Sequence, residues 1–425
     1  MTEIIVSGSS TSVTTVDASN TYLVEGGGTL DILIGGVVSG LITVNSGGTL
    51  NVFAGGLAYN ATIDIGGIEN DYGVDSGTTI SDGGVELVSN GGTAVGATID
   101  SGGEQDVRFG SASGTTISNG GVQVLQYGTA IGTTIGSGGV QDLTYGTAIG
   151  TTISNGGSQS VDYGTTIGTT IGNGGEQEVI FGTTIGTTIS NGGSLNVDFG
   201  TTIGTTISNG GVQVVQQRGT AIGTTISRGG SEYDYGSASG TTIRSGGEQD
   251  VRGTAVGTTI SSSGVQDVET GGTATGTTIS SGGEQVVENG GLVIGTTIDG
   301  GGTLELLSGA ITIGAVAIGA GGVEEIGSGY AVSGFIVGSG VTLEVASGGT
   351  ASNTTVLSGG TLQLLGGAIT SGTVTINAGG AEEIGPGYTL TGFTVSSGVT
   401  LEVASGGTAS DTAVLSGGTS ELLGG

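Results

Sequence analysis

In eight repeats a serine stands directly after an isoleucine that recurs down the chain: Ser81, Ser118, Ser154, Ser190, Ser208, Ser227, Ser261 and Ser280. An outward hydroxyl at the start of a turn can accept a transferred sugar, and serine also suits a turn with no modification at all. Carboxylates are the second set of groups with chemistry. Glu324 with Glu325 and Glu382 with Glu383 are adjacent pairs, and paired carboxylates can serve general acid–base catalysis. The chain has no histidine, cysteine or lysine, so the usual nucleophile–base pairs are missing. The acidic residues are therefore read as a solvated face, ahead of weak cation binding or catalysis. No catalytic, cofactor-binding or metal-ligating residue is expected.

Composition narrows the class further. Among 425 residues there are 99 glycines, one proline (Pro386) and no tryptophan. Five arginines (Arg108, Arg218, Arg228, Arg244, Arg252) face 36 acidic residues, for a formal charge of −31. Nucleic acid is not an expected partner, because no basic patch exists to displace its counterions. Anionic membranes should repel the chain for the same reason, and the acidity favours solubility and mutual repulsion. Lack of cysteine removes disulfides and thiolate metal sites. The start, Met1-Thr2-Glu3-Ile4-Ile5-Val6, has neither the basic region nor the apolar run of a secretory signal. No stretch approaches the ~18 apolar residues of a membrane-spanning helix.

So much glycine usually signals disorder, but here Ile, Val and Leu recur in register. The tetrad Gly-Thr-Thr-Ile, or a close variant, ends at Ile80, Ile99, Ile117, Ile135, Ile153, Ile171, Ile189, Ile207, Ile226, Ile243, Ile260, Ile279 and Ile298. The gaps are 19, then 18 six times, then 19, 17, 17, 19 and 19. A period this short, held this long, means one supersecondary unit repeated along an axis.

One unit runs from Ile131 to Gly146. Ile131, Thr133 and Ile135 alternate with Gly132, Thr134 and Gly136, which predicts a short strand with those three on its buried face. Gly138-Gly139 turn the chain; sister units use Asn119-Gly120-Gly121, Asn155-Gly156-Gly157 and Asn191-Gly192-Gly193, residues that tolerate positive φ. A second strand, Val140 to Tyr145, and a turn at Gly146 complete the coil.

Like then stacks on like. Gln105, Gln123, Gln141, Gln159, Gln177, Gln213, Gln249, Gln266 and Gln285 share one position, which predicts a structural amide ladder along the axis at the ~4.8 Å strand spacing. Two residues on comes an aliphatic, and two further an aromatic in several coils: Phe109, Tyr127, Tyr145, Tyr163, Phe181 and Phe199. A lone coil cannot offset its ordering entropy, so stability must arise between neighbours.

The expected fold is all-β, a single elongated right-handed parallel β-helix of roughly 22 coils of 17–19 residues. Residues 1–22 carry no repeat and are read as a leader or N-terminal cap. The regular array occupies 23–302. In 303–425 the offset becomes 58: Glu324-Glu325-Ile326-Gly327 returns as Glu382-Glu383-Ile384-Gly385, and Leu343 to Ser352 as Leu401 to Ser410. These are two three-coil super-repeats continuing the same solenoid.

The wording Gly128-Thr129-Ala130-Ile131-Gly132-Thr133-Thr134-Ile135, then Gly-Gly and Val140-Gln141, resembles the strand-loop-strand repeats of AIDA-type autotransporter adhesin passengers. That resemblance implies a parallel β-helix displayed outside the cell or on the Gram-negative outer-membrane surface. It further implies adhesion to host or bacterial cells, self-association and biofilm formation, and modification of turn Ser/Thr by a heptosyltransferase. The family's signal peptide and translocator barrel are not seen in this chain. Two rivals are weighed. A carbohydrate-active β-helix enzyme would need basic residues against acidic sugars. An ice-binding solenoid would need a flat two-row threonine array, whereas Thr134, Thr152, Thr170, Thr188 and Thr206 make a single row.

Overall fold

The computed structural model describes Thr2–Leu423. These residues form a parallel β-solenoid of about 22 turns without helix. By internal contacts the chain divides into Met1–Thr224 and Thr225–Gly425.

Within the first unit each coil has three short strands rather than two. Thr129–Ile131, Thr134–Ile135 and Val140–Thr144 pair in parallel with Thr147–Ile149, Thr152–Ile153 and Ser158–Asp162 of the next coil. We name the three faces after their inward residues: the alanine face (Ala130, Ala148), the isoleucine face (Ile135, Ile153) and the glutamine face (Gln141, Gln159). The extra corner corrects the alternation read through Ile131. Gly132 takes φ +68°, which bends the chain and resets which side points inward. Thr133 and Ile135 are buried, but Ile131 is 49% exposed and Ala130 takes the interior.

The second corner is a tight turn in which two consecutive residues need positive φ. Asn155 (52°) and Gly156 (77°) supply it, and the Gly157 N–H donates to the Ser154 carbonyl at 2.9 Å. These are the requirements of a type I′ turn. Gly157 is glycine for another reason: a Cβ there would lie 2.8 Å from the Ile135 carbonyl oxygen of the coil beneath.

At the third corner the positive φ falls on aromatic residues, 54–59° from Phe109 to Phe199. That conformation is uncommon for bulky side chains. The N-terminal residues follow the same three-faced plan. Thr2–Ser7, Ser10–Val13 and Val16–Asp17 pair in parallel with Asn20–Glu25, Thr29–Ile32 and Val37–Val38.

In the second unit the glutamine face runs on through Thr303–Leu306, Val323–Ile326 and Thr342–Val345. The other two faces are interrupted. On the isoleucine face Thr297–Ile298 pairs with Ala317–Ile318, and a separate ladder begins at Ile336–Val337. The break recurs 58 residues on, between Thr375–Ile376 and Thr394–Val395. Bulky Tyr330 and Phe335, and their counterparts Tyr388 and Phe393, sit half-buried against the core at these breaks. They take positions where earlier coils carry small residues, so adjacent coils part. The first break leaves a cleft of about 530 Å³ lined by Ile318, Glu324, Tyr330 and Phe335 among others.

Candidate functional site

The eight serines occupy one structural position. Each opens a turn whose fourth residue is a glycine, as in Gly121 N–H to Ser118 carbonyl (2.8 Å) and Gly193 N–H to Ser190 carbonyl (2.9 Å). The serine N–H also donates downward, from Ser118 to the Ile99 carbonyl at 3.0 Å. The backbone is thus held on two sides while Ser81, Ser118, Ser154, Ser190, Ser208, Ser227, Ser261 and Ser280 are all half-buried rather than enclosed. Thr134, Thr152, Thr170, Thr188 and Thr206 form a second hydroxyl column, exposed on the isoleucine face.

The nine glutamines are all buried in the interior. In the first run the Nε2 donates to the glutamine Oε1 of the coil before: Gln123 to Gln105 at 2.6 Å, Gln141 to Gln123 at 2.6 Å, Gln177 to Gln159 at 2.6 Å. A second run joins Gln285 to Gln266 (2.7 Å) and Gln266 to Gln249 (2.8 Å). Leu195 interrupts the first run, and threonines replace the alanine-face residues around it. Thr166 and Thr184 hydroxyls bond at 2.7 Å, and Gln177 Nε2 reaches Thr166 at 3.0 Å. Hydroxyls therefore supply part of what the missing amide would.

The solvated acidic face needs correction. Adjacent residues on a strand point to opposite sides, so Glu324 and Glu325 cannot act as a pair, nor can Glu382 and Glu383. Glu324 and Glu382 point inward, 5% and 3% exposed, in register with Leu304, Leu343, Leu362 and Leu401. Burial pushes both up to about 7. Their neighbours join an outward column of Glu305, Glu325, Glu344, Gln363, Glu383, Glu402 and Glu421. Gln363 Nε2 donates to Glu383 at 3.0 Å. Partial burial first, then the neighbouring carboxylates, raise Glu305, Glu325, Glu344 and Glu402.

At the strained corner the six aromatics stack along the axis. Centroids from Phe109 through Tyr127, Tyr145, Tyr163 and Phe181 to Phe199 are 5.1, 5.1, 5.2, 5.0 and 4.8 Å apart. The rings are 40–63% exposed, and the Arg218 guanidinium covers Phe199 at 5.1 Å from its centroid. Sequence reasoning found the column but placed it in the strand, because the sign of φ at the corner is not visible in residue order.

Reasoning from sequence missed a second group altogether. Glu69, Asp71, Asp75 and Glu86 are all buried in the interior of the first unit. Burial, then neighbouring charge, raises Glu69 and Glu86 well above the usual carboxylate range; burial, then Asp75, takes Asp71 to about 7. Aligning Ile68–Asp71 with Val140–Leu143 would have exposed Glu69 and Asp71 as inward positions.

No family model matches the chain, and no curated protein matches it. Among solved structures, a crystal structure of a TibC-catalysed hyper-glycosylated TibA fragment is similar to it. The two are 27% identical over 87% of this chain and 99% of that one, with a TM-score of 0.32.

Proposed function

We propose that this protein is a non-enzymatic display scaffold, an adhesin or autoaggregation module of the AIDA-type passenger kind, with its turn serines as glycan acceptors. One observation carries the reading: coil after coil presents the same outward groups at the same place. Thr134 through Thr206 repeat in every coil on the isoleucine face, while at the turn Ser118, Ser154 and Ser190 come in every second coil, with Gly136 and Gly172 between them, and Ser208 follows Ser190 directly. Hydroxyls or sugars spaced by the ~4.8 Å strand separation suit many weak contacts made together, and avidity then exceeds any single contact. The proposed partners are host or bacterial cell surfaces, other copies of the chain, and a heptosyltransferase. The proposed location is extracellular or the outer-membrane surface. The repeat wording Gly128 to Gln141 supports the same assignment. The opposed directions of Glu324 and Glu325 weigh against a carboxylate-pair hydrolase.

Co-expression with a heptosyltransferase, followed by intact mass and peptide mapping, tests the acceptor half. Additions in heptose-sized steps on peptides holding Ser118, Ser154, Ser190 or Ser208 are expected, and an unmodified mass refutes it. Display on a non-aggregating bacterial host tests the adhesin half. Faster settling than with an empty carrier is expected, and equal settling refutes it.

A further inference from the structure

In the first unit one coil places carboxylates in three interior columns at once. On the glutamine face Glu69 lies between Leu50 and Glu86, and Gln105 follows. In the next inward column Asp71 lies between Val52 and Val88. On the alanine face Asp75 lies between Ala58 and Ala94. Three carboxylates thus enter the core on one coil, and Glu86 adds a fourth from the coil above.

One carboxylate oxygen each from Glu69, Asp75 and Glu86 lie within 4.8 Å of one another. All three residues are fully buried. Gln105 Nε2 donates to Glu86 Oε2 at 2.7 Å, and Thr78 Oγ1 approaches Glu69 Oε2 at 3.5 Å. Glu69 Oε1 and Glu86 Oε1 accept no hydrogen bond. The first 107 residues contain no arginine, lysine or histidine. A buried carboxylate left without a partner is costly.

The second unit provides an internal comparison. Glu232 and Asp234 also enter the core together, but Ala238 keeps the alanine position. Gln249 Nε2 bridges them, 2.9 Å to Glu232 and 2.6 Å to Asp234. One amide thus spans that pair and leaves only Asp234 Oδ1 without a partner on it. The first cluster adds Asp75 and Glu86, and no amide bridges its members in the same way.

We propose that Glu69, Asp75 and Glu86 bind one calcium ion inside the solenoid. A point equidistant from three oxygens at the 4.8 Å limit is about 2.8 Å from each (4.8/√3), so a small inward movement gives calcium–oxygen distances of ~2.3–2.6 Å. Bidentate carboxylates, with Thr78 Oγ1, can fill the ~6–8 oxygen ligands that calcium takes. An all-oxygen, flexible donor set suits calcium better than zinc, which prefers nitrogen and sulfur.

The test uses the full chain, refolded with calcium chloride so that ion entry is not limiting, then passed through a desalting column in chelator. Metal analysis should find one calcium per chain, and melting temperature should be higher with calcium than with chelator. Asp75→Ala installs the residue of the neighbouring coils and Glu86→Gln the residue of the ladder, so both are compatible with the fold. Each should weaken calcium binding at least tenfold. The double variant should melt at the same temperature with and without calcium. Wild-type protein that retains no calcium and melts identically in both conditions overturns the proposal. So does retention that survives D75A/E86Q, or that is lost in Asp250→Asn instead, which would place the ion on the surface cluster of Glu248, Asp250 and Asp267.

Discussion

Replacing Gln141 by glutamate keeps the shape of the ladder and changes one atom's chemistry. Gln141 Nε2 donates to Gln123 Oε1 at 2.6 Å, and Gln159 Nε2 donates to Gln141 Oε1. In Gln141→Glu the second bond survives, whereas an ionised carboxylate oxygen would face the Gln123 carbonyl oxygen at the same short distance. The folded state must hold a proton there. The unfolded glutamate releases it above ~4.3, so the folded pKa is the raised one. Stability is then unaffected below ~4.3 and falls by ~1.4 kcal/mol per pH unit until the folded pKa is reached. At pH 4 the cost should be under ~1 kcal/mol, and at pH 7.5 up to ~4 kcal/mol, a loss of up to ~1,000-fold in local protection. Hydrogen exchange of the Val140–Thr144 amides, normalised to wild type at each pH, reads this directly, because solenoids open coil by coil. Gln141→Leu is the control. It removes the amide partner of Gln123 Oε1 and Gln159 Nε2 and leaves them only the longer contacts with Thr133 (3.5 Å) and Thr151 (3.3 Å), for roughly 1–3 kcal/mol at every pH. Adding Ala130→Thr should recover part of that, as Thr184 stands beside Gln177 where Leu195 interrupts the ladder. A Gln141→Glu cost that is equal at pH 4 and 7.5 would refute the reasoning.

Other expectations follow from the same geometry. Glu324 and Glu382, raised to about 7 among leucines, lower stability as pH climbs from ~4.5 to 7, by about 3 kcal/mol apiece above that range. Glu324→Leu and Glu382→Leu should therefore raise the melting temperature at pH 8 and much less at pH 4.5; an equal gain at both would discount the burial argument. At Tyr145, φ +58° penalises any Cβ. Tyr145→Gly should cost less than Tyr145→Ala by ~1 kcal/mol in thermal melts, although both lose two stacking partners, and the reverse order would exclude strain at that corner. The outward glutamate column opposes side-by-side contact between copies of the chain. Light scattering should show association growing from pH 7.5 to 5.5 and with salt, and a Glu325→Gln, Glu344→Gln, Glu402→Gln variant should associate already at pH 7.5. Association indifferent to pH and salt would remove charge from the explanation.

Much of the fold could be read in residue order because it is written in identities repeated at one step. The isoleucines at 18-residue spacing, the Asn-Gly-Gly turns and the glutamine register each report a local requirement that every coil shares. What could not be read depends on direction rather than identity. Gly132 looks like any strand glycine, yet its positive φ divides one predicted strand into two and turns Ile131 outward. Glu324 looks like half of an acidic pair until Val323-Glu324-Glu325-Ile326 is laid over Val140-Gln141-Asp142-Leu143, which puts it in the glutamine column. Asp75 is separated by six residues from Glu69 and by eleven from Glu86, and only coil stacking brings the three together.

The central claim is that function resides in repetition, and shortening the repeat tests it most directly. Removing Gly136 through Ile207 deletes four whole 18-residue periods and joins Ile135 to Ser208, the same junction type that other coils use. Ile135 then takes the place of Ile207, and Gln123 comes beneath Gln213 in the same register. Settling rate and cell adherence of bacteria displaying the shortened chain should fall in a graded way with the number of coils removed, as lost valency predicts. Complete loss on removing these four coils, with the remaining strands still formed by circular dichroism, would place function at one locus and contradict the claim.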